Sequence, residues 1–458
     1  MPAGRLVICL LAAFWLGMPA CSALADDPPP NVVLIISDDH GWRDYGFMGH
    51  PHVQTPRLDR LASESLVFRR GCTPCSLCCP SLASIITGLC PHQHGITGND
   101  PPRPAGAGVT AAEKSAAFSA GREIMNRQLE AVPTLPRLLA KRGYLSFQTG
   151  KWWQGDYTRG GFTHGMTRGD RHGDAGLEIG RQTMRPIYDF IADARQQRKP
   201  FLVWYAPMLP HSPHNPPQRL LDKYLDQTRS IHIARYWAMI EWFDETCGQL
   251  LDHLDEQHLA SNTIVLYISD NGWIQRADDP RYAPKSKTSP YDTGVHTPIM
   301  VRWPGRVKPR ESTALASSLD LVPTILHAVG EGERITADMS GLDLLDDRAM
   351  LGRKTVFGEC FLHTTADPHD PAANLLWRWA LQDRWRLIVP RGHSQSERLK
   401  AVPDDDHIAA SLLANAAQDS VELYDLLADP AEEQNVADDN PRVVEEMLGQ
   451  LDDWWLPK

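Results

Sequence analysis

Two apolar runs of the chain, residues 31–37 and 263–269, each end in a pair of side chains that carry oxygen atoms. The four side chains are those of Asp38, Asp39, Asp270 and Asn271. Carboxylate and amide oxygens are hard ligands, which suit Ca²⁺ or Mg²⁺ better than a soft transition metal. Asp and Asn also cap helices, but two matched pairs after two matched runs favour a divalent metal site.

The segment from Cys78 to Gly88 has the features of a short helix with a cysteine at its N-terminus. Pro80 fits the first turn of a helix, and Gly88 is the residue type favoured just past a helix end. Unpaired N–H groups and the helix dipole favour an anion at the N-terminus. The pattern therefore predicts that Cys78 lies where an anionic reacting group is stabilised, although a buried cysteine in a core helix would give the same pattern.

The cysteines around this segment leave a metal–thiolate site open as an alternative. Three of them are spaced as C-x2-C-x2-C: Cys72, Cys75 and Cys78. An iron–sulfur run would need its last cysteine three residues further on, where Leu82 stands. A zinc site would need a fourth ligand, and the nearby candidates are Cys79, Cys90 and His92.

The Cys78–Gly88 segment resembles the signature of the type I sulfatases of the alkaline-phosphatase-like superfamily. In that signature Cys-x-Pro-Ser-Arg runs into a short helix that ends in Thr-Gly, and Leu82 stands here in place of the Arg. The resemblance implies that Cys78 is oxidised to formylglycine by a formylglycine-generating enzyme. The hydrate of that aldehyde would be the nucleophile, with one hydroxyl to take the sulfuryl group and a second to let the adduct expel sulfate.

Other positions extend the resemblance to the metal site and to the sulfate-binding groups. The two acidic pairs align with the four metal ligands of the family, which implies one Ca²⁺ ion, with Mg²⁺ as the alternative. Lys151 lies in Gly-Lys-Trp-Trp where the family has Gly-Lys-Trp-His, which implies a sulfate-binding lysine, with Trp153 in place of the family's His. His211 follows Pro210 and resembles the histidine that assists the leaving group.

The family resemblance also implies a second catalytic lysine, four residues before a tyrosine. Lys287 stands in that relation to Tyr291, and Lys285 is a nearby competitor. The family's Arg and His are both absent, and removal of one transition-state donor costs a factor of about 10²–10³ in rate. Four basic residues close to the matching segments are candidates to compensate: His92, His94, Arg159 and His164. A different hypothesis about the missing Arg and His is that their replacements, Leu82 and Trp153, pack on one another and exclude water from the pocket.

The elements that must position these residues follow an α/β pattern. Buried strands are predicted at 31–37, 144–149, 201–206 and 263–269. Helices are predicted at about 55–62, 134–142, 234–259 and 320–329. Continuous apolar strands separated by helices predict a large mixed, mostly parallel sheet flanked by helices on both faces. Ligands bind at the carboxyl ends of strands in such sheets, so both acidic pairs should meet at one edge.

The pattern changes near Asp346. Beyond it we predict shorter strands at 380–390 and 421–427, a polar, loop-rich stretch at 391–418 and a closing helix at 441–454. Trp377, Trp379 and Trp385 are predicted to form an aromatic core there. The predicted division is an α/β catalytic domain at 26–345 and a smaller C-terminal α+β subdomain at 346–458, and the family resemblance extends from about Asn31 to Trp455.

Residues 1–25 have the pattern of a secretory signal peptide, with Arg5, an apolar stretch and a small-x-small site before Asp26. A lipoprotein anchor at Cys21 is a weaker alternative. The apolar stretch is too short for a comfortable membrane span, and no later segment is longer. Of nine cysteines, seven lie beyond the leader, and an odd number in an exported protein points to a free or modified thiol.

The net charge of −11 argues against a general nucleic-acid-binding protein. The sequence as a whole predicts an exported, calcium-dependent sulfatase that acts on a sulfated glycan, a small sulfated sugar or an aryl sulfate. Two alternatives stay open: a sulfatase-like protein that binds sulfated ligands with impaired catalysis, and a phosphate or phosphonate ester hydrolase of the same superfamily.

Overall fold

The computed structural model describes Met1 and residues 28–104, 109–392 and 420–457. The predicted signal peptide and most of the predicted loop at 391–418 lie outside the described residues. The strands, in chain order, are β1 Asn31–Ser37, β2 Leu66–Cys72, β3 Leu145–Gly150, β4 His164–Gly165, β5 Phe201–Ala206, β6 Thr263–Ser269, β7 His296–Arg302, β8 Arg310–Ser317, β9 Thr355–Phe361, β10 Leu375–Gln382, β11 Trp385–Pro390 and β12 Glu422–Asp425.

The helices of the described residues surround these strands. They are α1 Pro56–Ser63, α2 Cys78–Thr87, α3 Pro91–His94, α4 Val109–Glu113, α5 Ala116–Ala131, α6 Leu135–Ala140, α7 Arg185–Gln196, α8 Gln218–Leu221, α9 Ile231–Glu256, α10 Asp292–Val295, α11 Leu321–Ala328, α12 Asp347–Gly352, α13 Pro371–Asn374 and α14 Pro441–Trp454. Short 3₁₀ turns lie at Tyr157–Gly160, Arg171–Glu178, Ala260–Asn262, Ser318–Asp320 and Gly332–Arg334.

Eight strands form the main sheet, in the order β4-β3-β5-β1-β6-β7-β2-β8. All neighbours pair in parallel except β7, which runs antiparallel to both β6 and β2. The prediction of a mixed, mostly parallel sheet is therefore confirmed. In the central pair, Ser37 of β1 lies opposite Ser269 of β6, so that both strands end at the same edge.

Helices cover both faces of this sheet because the central strands are apolar on both sides. Val32, Leu34 and Ile36 of β1 face a cluster that contains α2, α6 and α11. Val33 and Ile35 face the opposite cluster, which contains α1, α7 and α9. The alternation of side chains along a strand divides the core in this way.

Four antiparallel strands form a second sheet in the order β12-β11-β10-β9, with α14 packed on one face. The prediction of a single strand over 380–390 was wrong, because the segment is a hairpin in which Gln382 pairs with Trp385. Asp383 lies in its two-residue turn with φ +50°, a conformation that Asp tolerates better than most residues. The domain boundary at 345/346 stays a prediction.

Gly150 is the last residue of β3, and its backbone conformation admits no side chain. Its φ is +75°, and a Cβ atom would lie 1.9 Å from the carbonyl oxygen of Ala206. The close approach lets the N–H of Lys151 donate to that same oxygen at 2.7 Å. This glycine therefore fixes the point at which the chain leaves the sheet before Lys151.

We expect Gly150→Ala to lower the free energy of unfolding by about 3 kcal/mol or more, because it combines backbone strain with a backbone clash. Gly143→Ala is the matched control, since Gly143 has φ +79° and open space around its Cβ position. The control should lose only about 1–2 kcal/mol. Chemical denaturation of both variants measures the difference, and equal losses would show that the clash at Ala206 is relieved.

Candidate active site

All eight predicted site residues lie at one edge of the main sheet. Each follows or precedes a strand end there: Asp38 and Asp39 after β1, Lys151 after β3, His211 after β5, Asp270 and Asn271 after β6, Cys78 after β2, and Lys287 before β7. Since β7 runs antiparallel, its beginning meets the carboxyl ends of its neighbours. Topology alone thus brings residues that are up to 249 positions apart into one site.

The oxygen-bearing residues predicted as metal ligands converge. The N–H of Asp39 donates to Oδ1 of Asp270 at 3.1 Å, and Nδ2 of Asn271 donates to Oδ1 of Asp39 at 2.7 Å. Nζ of Lys151 lies 2.7 Å from Asp38 Oδ1 and 3.9 Å from Asp270 Oδ2. The three carboxylates are each no more than 3% exposed, so their charges act on one another in a dry environment.

Cys78 is the first residue of α2 and is 1% exposed. Its Sγ lies 3.1 Å from Nζ of Lys287, 3.4 Å from Oδ1 of Asn271 and 3.9 Å from Oδ1 of Asp38. α2 ends where Gly88 adopts φ +71°, as predicted from its sequence. The cysteine therefore lies between a cationic group and the cluster of oxygen ligands.

Lys287 and His211 complete the arrangement around Asp39. Nζ of Lys287 lies 2.6 Å from Asp39 Oδ1, and Nε2 of His211 lies 3.4 Å from Asp39 Oδ2. Nδ1 of His211 lies 2.5 Å from the carbonyl oxygen of Ser212. Because a carbonyl only accepts, this geometry assigns the Nδ1 proton to the neutral ring and leaves Nε2 as its basic nitrogen.

Lys285, the competing lysine, points elsewhere. Its Nζ donates to the carbonyl oxygen of Glu432 and lies 4.7 Å from the ring centroid of Tyr291. The geometry therefore selects Lys287 over Lys285 as the lysine beside Cys78.

Burial and charge set the protonation of these groups. Burial raises the pKa of the Cys78 thiol, and the nearby lysines only partly offset this effect. Burial alone would lower the pKa of Lys151 and Lys287, but the attraction of Asp38 and Asp39 outweighs it, so both pKa values lie above the ordinary range. An unmodified Cys78 is thus a neutral thiol and a weak nucleophile, whereas both lysines are cations.

The pKa of His211 is lowered, first by burial and then by the charge of Lys151, with Asp39 opposing. Burial by itself would raise the pKa of Asp39, but the nearby positive charges of the lysines, that of Lys287 first, outweigh it and hold that pKa below the ordinary range. His211 is therefore neutral beside an ionised Asp39. An anion that enters between the lysines would offset their field and raise the affinity of Nε2 for a proton.

The donor set fits a hard divalent cation. Three buried carboxylate oxygens have no hydrogen-bond partner in the described part of the chain: Oδ2 of Asp38, of Asp39 and of Asp270. Ligand atoms of Asp38, Asp39, Cys78 and His211 all lie within 4.8 Å of one another. Unpaired buried carboxylate oxygens are costly, and a Ca²⁺ or Mg²⁺ ion would satisfy them.

The metal–thiolate alternative has no support among the described residues. The potential metal-binding group found there contains one cysteine, Cys78, together with two aspartates and a histidine. All seven described cysteines are buried and free of disulfide bonds. Cys75 and Cys79 carry raised thiol pKa values because of burial, which disfavours the thiolate form that metals bind.

The four basic residues considered as replacements for the missing Arg and His are engaged elsewhere. His92 pairs with Glu359, and His94 Nε2 lies 3.1 Å from Ser84 Oγ. Arg159 pairs with two glutamates, and His164 contacts Thr163 and Phe190. None of the four lines the cavity that contains Cys78.

A cavity of about 450 Å³ opens over Cys78. Besides predicted site residues it is lined by polar side chains that the sequence analysis missed, among them Asn99, Arg171, His172 and His363. Trp153 forms part of the same wall, with the Arg171 guanidinium 5.0 Å from its ring centroid. Leu82 and Trp153 both belong to the large buried apolar cluster on one face of the main sheet, and their packing on one another stays a prediction.

The loop that carries Lys287 is held by the second sheet through buried ion pairs. Nη2 of Arg386 lies 3.1 Å from Asp292 Oδ1, and the N–H of Asp292 donates to Glu432 Oε2 at 2.8 Å. The hydroxyl of Tyr291 donates to Glu422 Oε2 at 2.9 Å. Residues from β11, β12 and the turn after β12 therefore shape the segment between Lys287 and β7.

Comparison with known proteins places this geometry in a family. Residues 30–331 match the family model described as Sulfatase. The chain belongs to the sulfatase family. It is therefore a sulfuric ester hydrolase that acts on sulfated substrates, and the resemblance found in the sequence is confirmed. Within the described residues, no helix is both long and apolar enough to span a membrane.

Individual sulfatases resemble the chain over most of its length. Human arylsulfatase A is 27% identical, with 93% of this chain and 87% of the relative covered. The N-acetylgalactosamine-6-sulfatase of Canis lupus familiaris is 28% identical over 76% of this chain and 70% of the relative. The crystal structure of Ps i-CgsB superposes with a TM-score of 0.70 at 20% identity, covering 93% of each chain; this last likeness concerns the fold.

Proposed function

We propose that the chain hydrolyses a sulfate ester on a sugar, using a formylglycine residue formed from Cys78 and one Ca²⁺ ion. The observation that carries the proposal is the contact of Cys78 Sγ with the Lys287 ammonium at 3.1 Å, beside the carboxylate cluster. A neutral buried thiol has little nucleophilicity there. The position suits a modified residue. The similarity to N-acetylgalactosamine-6-sulfatase supports a sugar substrate.

Binding of the sulfate group falls to the two lysines. Lys151 and Lys287 both contact the carboxylates that would hold the metal ion, one on Asp38 and one on Asp39. A cation held by those carboxylates would leave the ammonium groups free to donate to sulfate oxygens, and it would supply Lewis-acid polarisation. Charge on three sulfuryl oxygens is thus neutralised from fixed positions.

The leaving alcohol needs a proton, and His211 is placed to supply it. Its Nδ1 proton is held by the Ser212 carbonyl, so Nε2 is the atom that gains and gives the proton. A formylglycine hydrate at position 78 would supply one hydroxyl to accept the sulfuryl group and a second whose deprotonation releases sulfate. The balance is one water consumed for one alcohol, one sulfate dianion and one proton formed.

A mass measurement on the proteolytic peptide that contains Cys78 tests the proposal directly. The protein should come from a host that modifies sulfatases and, in parallel, from one that does not. We expect formylglycine at position 78 in the first preparation and sulfatase activity only there. An intact Cys78 thiol in an active preparation would refute the proposed nucleophile. An intact thiol and no activity in the preparation from the modifying host would favour the ligand-binding alternative.

A chromogenic assay separates the sulfatase from the second alternative. Aryl sulfate and aryl phosphate or phosphonate esters with the same leaving group should be compared at equal concentration. We expect the sulfate ester to be cleaved faster, and a preference for the phosphorus esters would support the phosphate or phosphonate hydrolase.

The leader-like residues 1–25 support export of the protein, and amino-terminal sequencing of the mature chain tests this.

Removal of the metal should lower both stability and activity. After chelation we expect a lower Tm, because the buried Oδ2 atoms of Asp38, Asp39 and Asp270 are left without a partner. Ca²⁺ at 100 times its Kd should restore about 2.7 kcal/mol of stability by linkage. Differential scanning calorimetry with Ca²⁺, Mg²⁺ and no metal measures this, and Asp270→Asn should reduce the gain. A Tm that is independent of metal would contradict the proposed site.

A further inference from the structure

Arg171, which lines the cavity, belongs to a buried basic cluster around Asp100. Three arginines contact this carboxylate: Arg103 at 3.2 Å, Arg122 at 2.8 Å and Arg171 at 3.0 Å. The Asp100 side chain is completely buried, and Glu113 lies 3.7 Å from Arg171. Three guanidinium groups thus surround one buried carboxylate.

Arg171 is the member of the cluster that reaches the cavity. Its Nε and Nη2 both donate to Asp100 at 3.0 Å, and its guanidinium lies over the ring of Trp153. About a third of the side chain is exposed. Within the described residues its Nη1 has no hydrogen-bond partner. A guanidinium whose Nε and Nη2 are fixed by a carboxylate and whose Nη1 is open is oriented in advance to bind an oxyanion.

A second donor lies in the same wall. His363 lines the cavity, is 7% exposed, and its Nε2 lies 3.2 Å from Nδ2 of Asn99. Since that amide nitrogen donates, the neutral ring carries its proton on Nδ1, which has no partner in the described part of the chain. A buried donor without a partner is costly and is satisfied by a bound acceptor.

Arg171 does not contact the groups that would hold the sulfate undergoing hydrolysis. Cys78, Asp38 and Asp39 all have a lysine within 4 Å, whereas Arg171 contacts Asp100, Glu113 and Trp153. An anion bound to Arg171 would therefore be a different group from the sulfate over Cys78.

We propose that Arg171, with His363, binds a second anionic group on the substrate, a carboxylate or a second sulfate on the sulfated sugar. This inference rests on the proposed function, because it assumes that the first sulfate lies over Cys78. The substrate class is accordingly a sulfated saccharide with at least two negative charges. Trp153, in the position where the family has His, supports the guanidinium from below.

Three disaccharides of matched shape test the inference on the wild-type protein. The first joins N-acetylgalactosamine 6-sulfate to a uronic acid, the second has that carboxyl group reduced to an alcohol, and the third is the reduced form with a second sulfate. We expect kcat/KM to fall about 10- to 100-fold when the second anion is removed. The arm with the higher value, carboxylate or sulfate, identifies the group. Equal values for all three would overturn the inference.

Arg171→Gln should remove the preference and leave the hydrolysis of 4-nitrophenyl sulfate, which has a single anionic group, within about threefold. Arg281→Gln is the matched control, because Arg281 also lines the cavity but pairs with Asp279 instead of Asp100. It should keep the preference. Arg171→Lys, which retains the charge, should restore part of it. Equal loss on all substrates in Arg171→Gln would contradict a role in binding the second anion.

Binding measurements keep this test separate from the proposed chemistry. Calorimetric titration of Cys78→Ala with the same three disaccharides reports affinity without turnover, in the presence and absence of Arg171→Gln. A preference in binding without any hydrolysis by the wild type would refute the proposed function and support the second-anion site. Hydrolysis without any preference would do the reverse.

Discussion

Cys78→Ala is expected to abolish sulfatase activity, with a loss in kcat on the order of 10⁶, the scale seen when a nucleophile is deleted. The reason is that no other nucleophilic side chain in the described cavity lies beside both Lys287 and the carboxylate cluster. The thermal stability should change little, because one small buried sulfur is removed. Initial rates on a chromogenic sulfate ester, with a calorimetric Tm, measure both effects.

Cys79→Ala is the matched control for this substitution. Cys79 is the next residue of α2, is fully buried, and accepts a hydrogen bond from Gln154 at 3.0 Å. It should lose a comparable amount of stability but stay within about tenfold of wild-type activity. Residual activity above about 1% in Cys78→Ala, after mass spectrometry has excluded wild-type protein, would show that position 78 is not the nucleophile.

Lys287→Met is expected to lower kcat by a factor of about 10²–10³, the cost of one lost transition-state donor. The methionine keeps most of the volume of the chain while it removes the ammonium that contacts Cys78 and Asp39. KM should rise less than kcat falls if the contact strengthens as charge develops on the sulfuryl oxygens. Steady-state kinetics on an aryl sulfate measures the two parameters.

Lys285→Met provides the comparison. Lys285 contacts Glu432 and the ring of Tyr291 rather than Cys78. We therefore expect a lower Tm and a loss in kcat/KM below tenfold. If Lys285→Met proved the more damaging of the two, the assignment of Lys287 would be wrong.

The parts of the fold that the sequence predicted well are those with strong local signals. The strands at 31–37, 201–206 and 263–269 were located to the residue because apolar runs end abruptly, the first and third in polar side chains and the second at Pro207. The closing helix at Pro441–Trp454 begins at a proline and has an apolar stripe, and it was also predicted with the observed bounds.

Elements with mixed composition were harder to predict. β2 contains two arginines and a glycine, and β8 begins with four polar or charged residues. Their place in the sheet depends on pairing with distant strands, which no local pattern encodes. The hairpin at 375–390 was missed because its two-residue turn, Asp383 and Arg384, lacks glycine and proline.

The site shows the same division. Residues next to strand ends were identified because the strands were visible and the motifs are short. Arg171, His172 and His363 come from irregular segments, and the cavity brings them together from positions up to 192 apart. The role proposed for Arg171 also depends on Asp100, whose importance is apparent only from the three arginines around it.

The ion pairs between Asp292, Arg386 and Glu432 also bear on how the protein is made. All eight residues of the predicted site have left the ribosome well before Glu422 and Glu432 are synthesised. Until then the segment after Lys287 lacks the carboxylates that bind Tyr291 and the N–H of Asp292. A nascent chain released before that point would contain every reactive group and still lack the shape of the loop, so activity should be acquired only in the final stage of synthesis.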